Sequence, residues 1–154
     1  MNTDDWNALG LGHMAPRLDP EKSILSVLGI ELEPVDDETI RAVVPVTDRI
    51  RQPMALVHGG VYGLIAETVA SVATARLVYP DGLHAFGAGY STNLLRPISV
   101  GSIHALGTLR HRGRTTLVWN VDMSDDEGRL CAVTLMTMAV RPDQAPRPEQ
   151  GDPR

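Results

Sequence analysis

Residues 56–71 read LVHGGVYGLIAETVAS: a histidine, two adjacent glycines and a single carboxylate, Glu67, in an otherwise apolar or small run. Glu67 and Ser71 are four residues apart and Gly63 stands four before Glu67, so on a helix the three share one face. No lysine or arginine lies three or four residues from Glu67, where Gly63, Leu64, Ala70 and Ser71 occur, so the helix offers it no ion-pair partner. A carboxylate buried there must be paired with an arginine from elsewhere, protonated, or used in chemistry. The helix is expected to start near Gly59 or Gly60, which sets His58-Gly59-Gly60 where the first N–H groups lack intrahelical acceptors and the macrodipole is positive. A carbonyl oxygen docked on those N–H groups would be polarised toward a tetrahedral intermediate, and glycine lets it approach the backbone closely. Acyl transfer is the reaction class this suggests.

Gly59 and Glu67 are eight residues apart, about 12 Å along a helix axis. One carbonyl cannot touch both. If both act in one reaction they come from different subunits, with two such helices antiparallel across a two-fold axis and two identical sites per dimer.

The elements that must position these residues follow from the periodicity. EKSILSVLGI fits a short helix; IELEPV and TIRAVVPV alternate like half-buried strands around an Asp36-Asp37 turn. After the long helical segment and a Pro-Asp-Gly break come AFGAGYSTNLL, IHALGTLRHR, TTLVWNVDMS and LCAVTLMTMAV, four further strands separated by turn residues. Two strands, one long helix and four strands imply an α+β layer, an antiparallel sheet with the helix on one face. From Val61 to Val72 the helix is apolar or small around nearly its whole circumference, so it should be buried on several sides, by the sheet and by a second subunit. Residues 1–20 read as a partly disordered N-terminal segment, 21–141 as one domain and 142–154, rich in proline and charge, as a disordered tail.

Composition narrows the function. With 154 residues there is length for one core; a net charge of −5 and no basic stripe argue against nucleic acid. The lone cysteine, Cys131, lies in an apolar strand as an inert thiol, and the acidic N-terminus resembles no secretory signal, so a cytoplasmic location is expected. The run Val61–Tyr79 has the length of a spanning helix but holds Glu67 and Arg76, and no membrane is expected. His13, His84, His104 and His111 have no metal-ligand spacing, so no metal is expected. No G-x-S-x-G elbow surrounds Ser71, and GAGYS is neither a phosphate loop nor a dinucleotide fingerprint.

QPMALVHGGVYGLIAETVAS, together with STNLLRPIS and HRGRTT, resembles the hotdog-fold acyl-CoA thioesterases, in the PaaI-like and Arthrobacter-type 4-hydroxybenzoyl-CoA thioesterase group, over about residues 25 to 141. The resemblance implies a long central helix wrapped by an antiparallel sheet of about six strands, in a homodimer or dimer of dimers with sites at the subunit interface. It implies Glu67 as nucleophile or general base and the Gly59 N–H as donor to the thioester oxygen. Gln52 and His58 would line the carbonyl end, and Ser71 would help hold the water or the carboxylate. Arg96 and the stretch Arg114-Thr115-Thr116 match positions that meet the nucleotide and phosphates of coenzyme A. Coenzyme A is then part of the substrate and no cofactor is implied. Residues 47–59 lack the DxxGHxN-type motif of another thioesterase branch. Simpler roles stand beside these: a structural carboxylate for Glu67, a backbone-bonding histidine for His58, helix packing for Ser71, a solvated strand end for Arg96 and an exposed hairpin corner for Arg114. Aromatic acyl groups are favoured only by the resemblance, with medium aliphatic chains open; Tyr62, on the central helix, is the ring to watch for stacking. The alternatives to an enzyme are a non-catalytic acyl-CoA or small-ligand binding protein on the same fold, and an interaction module without a ligand.

Overall fold

The computed structural model describes residues 23–142 and, ahead of them, Asn7, Leu9 and Leu11. The rest of the expected N-terminal segment and the tail from residue 143 lie outside the described residues. Leu9 and Leu11 are buried in the core. Helix α1 (Ile24–Leu28) is capped by Ser23, whose hydroxyl accepts the Ser26 N–H, and is closed by Gly29 at φ 64°, a left-handed turn that glycine adopts without strain.

The strands are β1 (Glu31–Pro34), β2 (Thr39–Pro45), β3 (Leu83–Leu94), β4 (Ser102–Arg112), β5 (Thr116–Ser124) and β6 (Leu130–Pro142), with the long helix α2 (Gly59–Val78) between β2 and β3. They form one sheet in the order β1-β2-β4-β5-β6-β3, every pair antiparallel. Each falls on the stretch expected from alternation to within two residues, and β6 runs on to Pro142, the first residue of the expected tail.

Helix α2 packs on one face of this sheet. On β5, Leu117, Trp119, Val121 and Met123 are all buried toward it, while the residues between them are half-buried on the opposite face, the period-2 pattern of a strand with a core side. Close approach is set by Gly107 of β4, where an added Cβ would lie 2.6 Å from Val69 Cγ1 of the helix. The Trp119 indole N–H donates to Thr74 Oγ1 at 2.9 Å, both residues fully buried, so the sheet is tied to the helix by a satisfied polar pair inside the core. Helix α2 is long and apolar enough to cross a membrane by length and composition, but the sheet covers most of it.

That cover is not complete. Glu67 and Gly60 are exposed, and Leu64, Thr68 and Ser71 only half-buried, so a strip of α2 faces away from the sheet. The expected burial of Glu67 does not hold in the single chain. The physical reason is the strand order: β3 is the last strand on its side, and nothing among the described residues continues the sheet past it to close over that strip. Strand β3 itself carries Phe86, Tyr90 and Leu94, each more than half exposed, along a free edge. Long apolar edges of this kind are pairing surfaces for another strand.

Candidate active site

The N-terminus of α2 is built by His58. Its backbone is extended (φ −66°, ψ 131°) and its Nδ1 accepts the Gly60 N–H at 3.0 Å, which caps the helix. An imidazole that accepts at Nδ1 has its N–H at Nε2. The Val61 N–H turns back to the His58 carbonyl at 2.9 Å. With Gly60 and Val61 so committed, the Gly59 N–H is the first-turn donor left without an acceptor among the described residues.

Two loops flank this donor. Residues 51–57 form a tight reversal closed by the Arg51–Val57 bridge, with the Gln52 N–H donating to the Leu56 carbonyl at 2.8 Å and the Ala55 N–H to the Gln52 carbonyl at 2.8 Å. Ala55 takes φ 61° here, a left-handed conformation that is strained for a residue with a Cβ. The Gln52 side-chain Oε1 accepts the Met54 N–H at 2.9 Å, which leaves its amide NH2 as a donor. The other wall, residues 94–98, is anchored to β6: the Leu95 and Arg96 N–H groups both donate to the Cys131 carbonyl, at 2.8 and 3.0 Å. The Val57 N–H donates to the Ile98 carbonyl at 2.8 Å and fastens one wall to the other. Between them is a cleft of about 610 Å³ whose lining includes Gln52, His58, Gly59, Tyr62, Leu94 and Arg96.

Four of the residues expected from sequence therefore meet in one cleft: Gln52, His58, Gly59 and Arg96. Arg96 is exposed and forms no ion pair among the described residues. Glu67 and Ser71 lie outside the cleft, farther along the helix face that leans on β3. The contacts down that face are regular. An added Cβ at Gly59 would lie 2.7 Å from Leu94 Cδ1, one at Gly63 2.7 Å from Tyr90 Cε2, and one at Gly87 2.9 Å from Glu67 Oε1. Helix α2 thus runs antiparallel to β3, with Gly59 beside Leu94 at one end and Glu67 over Gly87 at the other. The 114–116 stretch is elsewhere: Thr116 pairs with Ala139, which pairs with Phe86, so the β4–β5 hairpin is level with the far end of β3 from Leu94. Within one chain it does not reach the cleft.

Tyr62 does not offer an open stacking face. It is buried, and its hydroxyl makes no hydrogen bond of good geometry among the described residues, the Ile98 backbone being the nearby polar group. Burial, then the neighbouring Cys131, push the phenol up to about 12, against a small opposing contribution from the Ile98 backbone. Burial likewise pushes the Cys131 thiol up; its Sγ donates to the Arg129 carbonyl at 3.0 Å, consistent with an inert thiol. Sequence reasoning missed Leu94, Leu95 and Pro97 as cleft residues, and missed Tyr90. The signal for Tyr90 was present in the four-residue spacing of Gly59, Gly63 and Glu67, since a glycine in the middle of a helix face marks a place where another side chain comes close.

Comparison with known proteins agrees with this geometry. Residues 54–132 match the family model described as the thioesterase superfamily. The chain is 31% identical over 134 residues to the 1,4-dihydroxy-2-naphthoyl-CoA hydrolase of Escherichia coli, covering 87% of this chain and 90% of that protein. It is 32% identical over 118 residues to the proofreading thioesterase EntH of Cronobacter turicensis, covering 77% and 85%. Among solved structures, a mutant thioesterase from Pseudomonas aeruginosa superposes with a TM-score of 0.76 at 34% identity, covering 83% of this chain and 97% of that one. The central helix with its free N-terminal donor, the six-stranded antiparallel wrap and these relatives agree: the chain belongs to the thioesterase superfamily and is a hotdog-fold thioester hydrolase.

Proposed function

We propose that the protein hydrolyses an acyl-CoA to the free acid and coenzyme A in a homodimer, each site joining the Gly59 end of one subunit to Glu67 of the other. The observation that carries this reading is the Gly59 N–H, a helix N-terminal donor without an acceptor at the edge of a cleft that also holds the Gln52 amide and Arg96. A thioester carbonyl oxygen bound there gains a hydrogen bond that strengthens as negative charge develops on it, worth about 3 kcal/mol in comparable sites. Glu67 either attacks the carbonyl carbon itself, giving a mixed anhydride that water then cleaves to the free acid and the regenerated carboxylate, or takes a proton from the attacking water. The electron pair of the broken C–S bond leaves on coenzyme A as a thiolate, which needs little acid assistance. In this reading Ser71, one turn beyond Glu67, holds the water or the carboxylate, and Arg96 meets a phosphate. The 114–116 hairpin would meet coenzyme A only across the dimer.

The free edge of β3 supports a particular dimer. Opposite residues of an antiparallel pair point to the same face, and a two-fold axis through Ser91 satisfies that rule for two copies of β3. Thr92 then faces the partner's Tyr90 and Asn93 the partner's Gly89. Because β3 bulges between Gly87 and Gly89, the next inward-facing pair is Leu94 with the partner's Gly87. Leu94 is the residue beside Gly59 and Gly87 the one beneath Glu67, so this register brings the Gly59 N–H level with the carboxylate of the partner's Glu67. It also covers the exposed strip of α2 and the apolar edge of β3. The name of the Escherichia coli relative supports an acyl-CoA with an aromatic acyl group.

The test is thiol release, followed with a chromogenic disulfide reagent, across aromatic and aliphatic acyl-CoAs for the wild type and Glu67→Gln. Cys131, fully buried, should stay silent in this assay. Turnover lost by a factor of at least about a hundred in Glu67→Gln is the expected result. Equal activity in the variant would make Glu67 structural. Stabilisation by acyl-CoA without turnover of any member would make the protein a binder.

A further inference from the structure

Tyr90 has no part in the chemistry described so far, yet it stands between its two halves. On α2, Gly63 is one turn from Gly59 and one turn from Glu67, and the Tyr90 ring lies directly on it: an added Cβ at Gly63 would be 2.7 Å from Cε2, 2.8 Å from Cζ and 2.9 Å from the phenol oxygen. The absence of a side chain at Gly63 is what admits the ring. Tyr90 is nevertheless 53% exposed in the single chain, so its other side faces the space that the second subunit encloses.

We propose that Tyr90, seated on Gly63, is the end wall of the acyl pocket and sets the length of acyl group the enzyme accepts. The inference rests on the dimeric acyl-CoA reading above. Coenzyme A is large and polyanionic and must leave the site toward solvent, on the side of exposed Arg96. The acyl group therefore runs the other way, into the interface and toward the two-fold axis. In the register centred on Ser91, the first obstacle on that path is Tyr90 of the partner subunit, on the subunit that supplies Glu67. It stands one helical turn, about 6 Å, from that carboxylate. A gap of one helical turn suits one flat ring or a short chain and would exclude a long one. A phenyl ring held on a backbone rather than on flexible side chains makes a stiff wall, and its flat, polarisable face suits an aromatic acyl group better than an alkyl chain of equal length. Tyr90 is then a specificity-determining residue and takes no part in bond making.

The experiment compares kcat/KM for benzoyl-CoA and decanoyl-CoA in the wild type, Tyr90→Ala and Tyr90→Trp, with dimer mass and thermal midpoint measured on each protein. Removing the wall should raise the decanoyl-to-benzoyl ratio about tenfold or more, because each methylene admitted to an apolar pocket favours the longer substrate by a sizeable factor. Tyr90→Trp, which enlarges the wall, should lower the ratio, and it keeps the test decisive if Tyr90→Ala weakens the dimer. A ratio unmoved in both variants, with kcat/KM falling in parallel for the two substrates, would make Tyr90 an interface residue and overturn the inference. Absence of turnover by the wild type on either substrate and on the wider acyl-CoA panel is a different failure: it removes the acyl-CoA reading itself.

Discussion

If each site is shared between subunits, two inactive variants should repair one another. Gly59→Pro removes the proposed oxyanion donor with little damage to the fold. Gly59 is the first residue of α2, where an N–H has no helical acceptor and proline's fixed φ is suitable. His58 before it already has the extended backbone that precedes proline. An added Cβ there would lie 2.7 Å from Leu94 Cδ1, the free end of a side chain that can turn away. The loss of one oxyanion donor predicts a fall in kcat of roughly 10²–10³, and Glu67→Gln removes the carboxylate. Gly59 and Glu67 of one chain are about 12 Å apart along the helix, so neither helix alone carries a complete site. In a mixed dimer the site formed by Gly59 of the Glu67→Gln chain and Glu67 of the Gly59→Pro chain is intact, and the other has both defects. Random association of equal amounts makes about half the dimers mixed, each with one working site of two, so about a quarter of wild-type activity should return. The assay is thiol release after co-expression or joint refolding, with each variant alone as baseline. A mixture no more active than the mean of the two variants would refute the shared site. Wild-type activity in Gly59→Pro alone would refute the oxyanion role.

Tyr62→Phe deletes a buried hydroxyl that has no well-formed hydrogen bond among the described residues, and should raise stability by about 1 kcal/mol, read as a thermal midpoint higher by roughly 2–4 °C; a lower midpoint would mean that the hydroxyl is bonded. Because the Tyr62 phenol is held up to about 12, the unfolded chain gives up this proton first, and wild-type stability should fall from about pH 10 toward pH 12. The fall should be shallower in Tyr62→Phe, and equal slopes would count against the shift. Ser91→Cys should form a disulfide-linked dimer on mild oxidation, since opposite residues of an antiparallel pair have Cα atoms about 4.5–5.5 Å apart, within disulfide reach; a chain that stays monomeric on a non-reducing gel would exclude an axis at Ser91. Thr74→Val leaves the Trp119 N–H unpaired inside the core and should cost about 1–3 kcal/mol in urea unfolding. A cost below about 0.5 kcal/mol would show that the bond contributes little.

The strands were legible because each has a buried and an exposed side, as the alternation of β5 shows, and α2 because only a helix buried almost all round can be so uniformly apolar. The helix start was legible from His58-Gly59-Gly60, and so was the distance that separates Gly59 from Glu67. What the sequence did not carry was the order of strands in space. Alternation along β3 is the same whether it lies at the edge or in the middle of a sheet, so nothing in LHAFGAGYSTNL announces a free edge or the uncovered strip beside it. For that reason Glu67 is exposed in the single chain. The cleft failed to show its second wall for a similar one: Leu94–Pro97 is held in place by the carbonyl of Cys131, more than thirty residues along the chain, and backbone carbonyls leave no mark on a sequence.

The bulge in β3 joins these partial readings. Gly87 and Leu94 are seven residues apart, an odd number, so in a regular strand they would point to opposite faces and no two-fold axis could set one against the other. The irregularity between Gly87 and Gly89 removes one residue from the count and turns both toward α2. In the register centred on Ser91 that single extra residue, Ala88, lets the Gly59 end of one helix meet the Glu67 region of the next while every facing pair keeps its side of the sheet. The glycines flanking Ala88 also have separate uses. Gly87 makes room for the Glu67 carboxylate, which an added Cβ would meet at 2.9 Å, while Gly89 has open space where its Cβ would be. Gly89→Ala should therefore leave activity unchanged, whereas Gly87→Ala should displace Glu67 and lower kcat with little change in KM. An equal response to the two substitutions would show that the carboxylate does not depend on this seat.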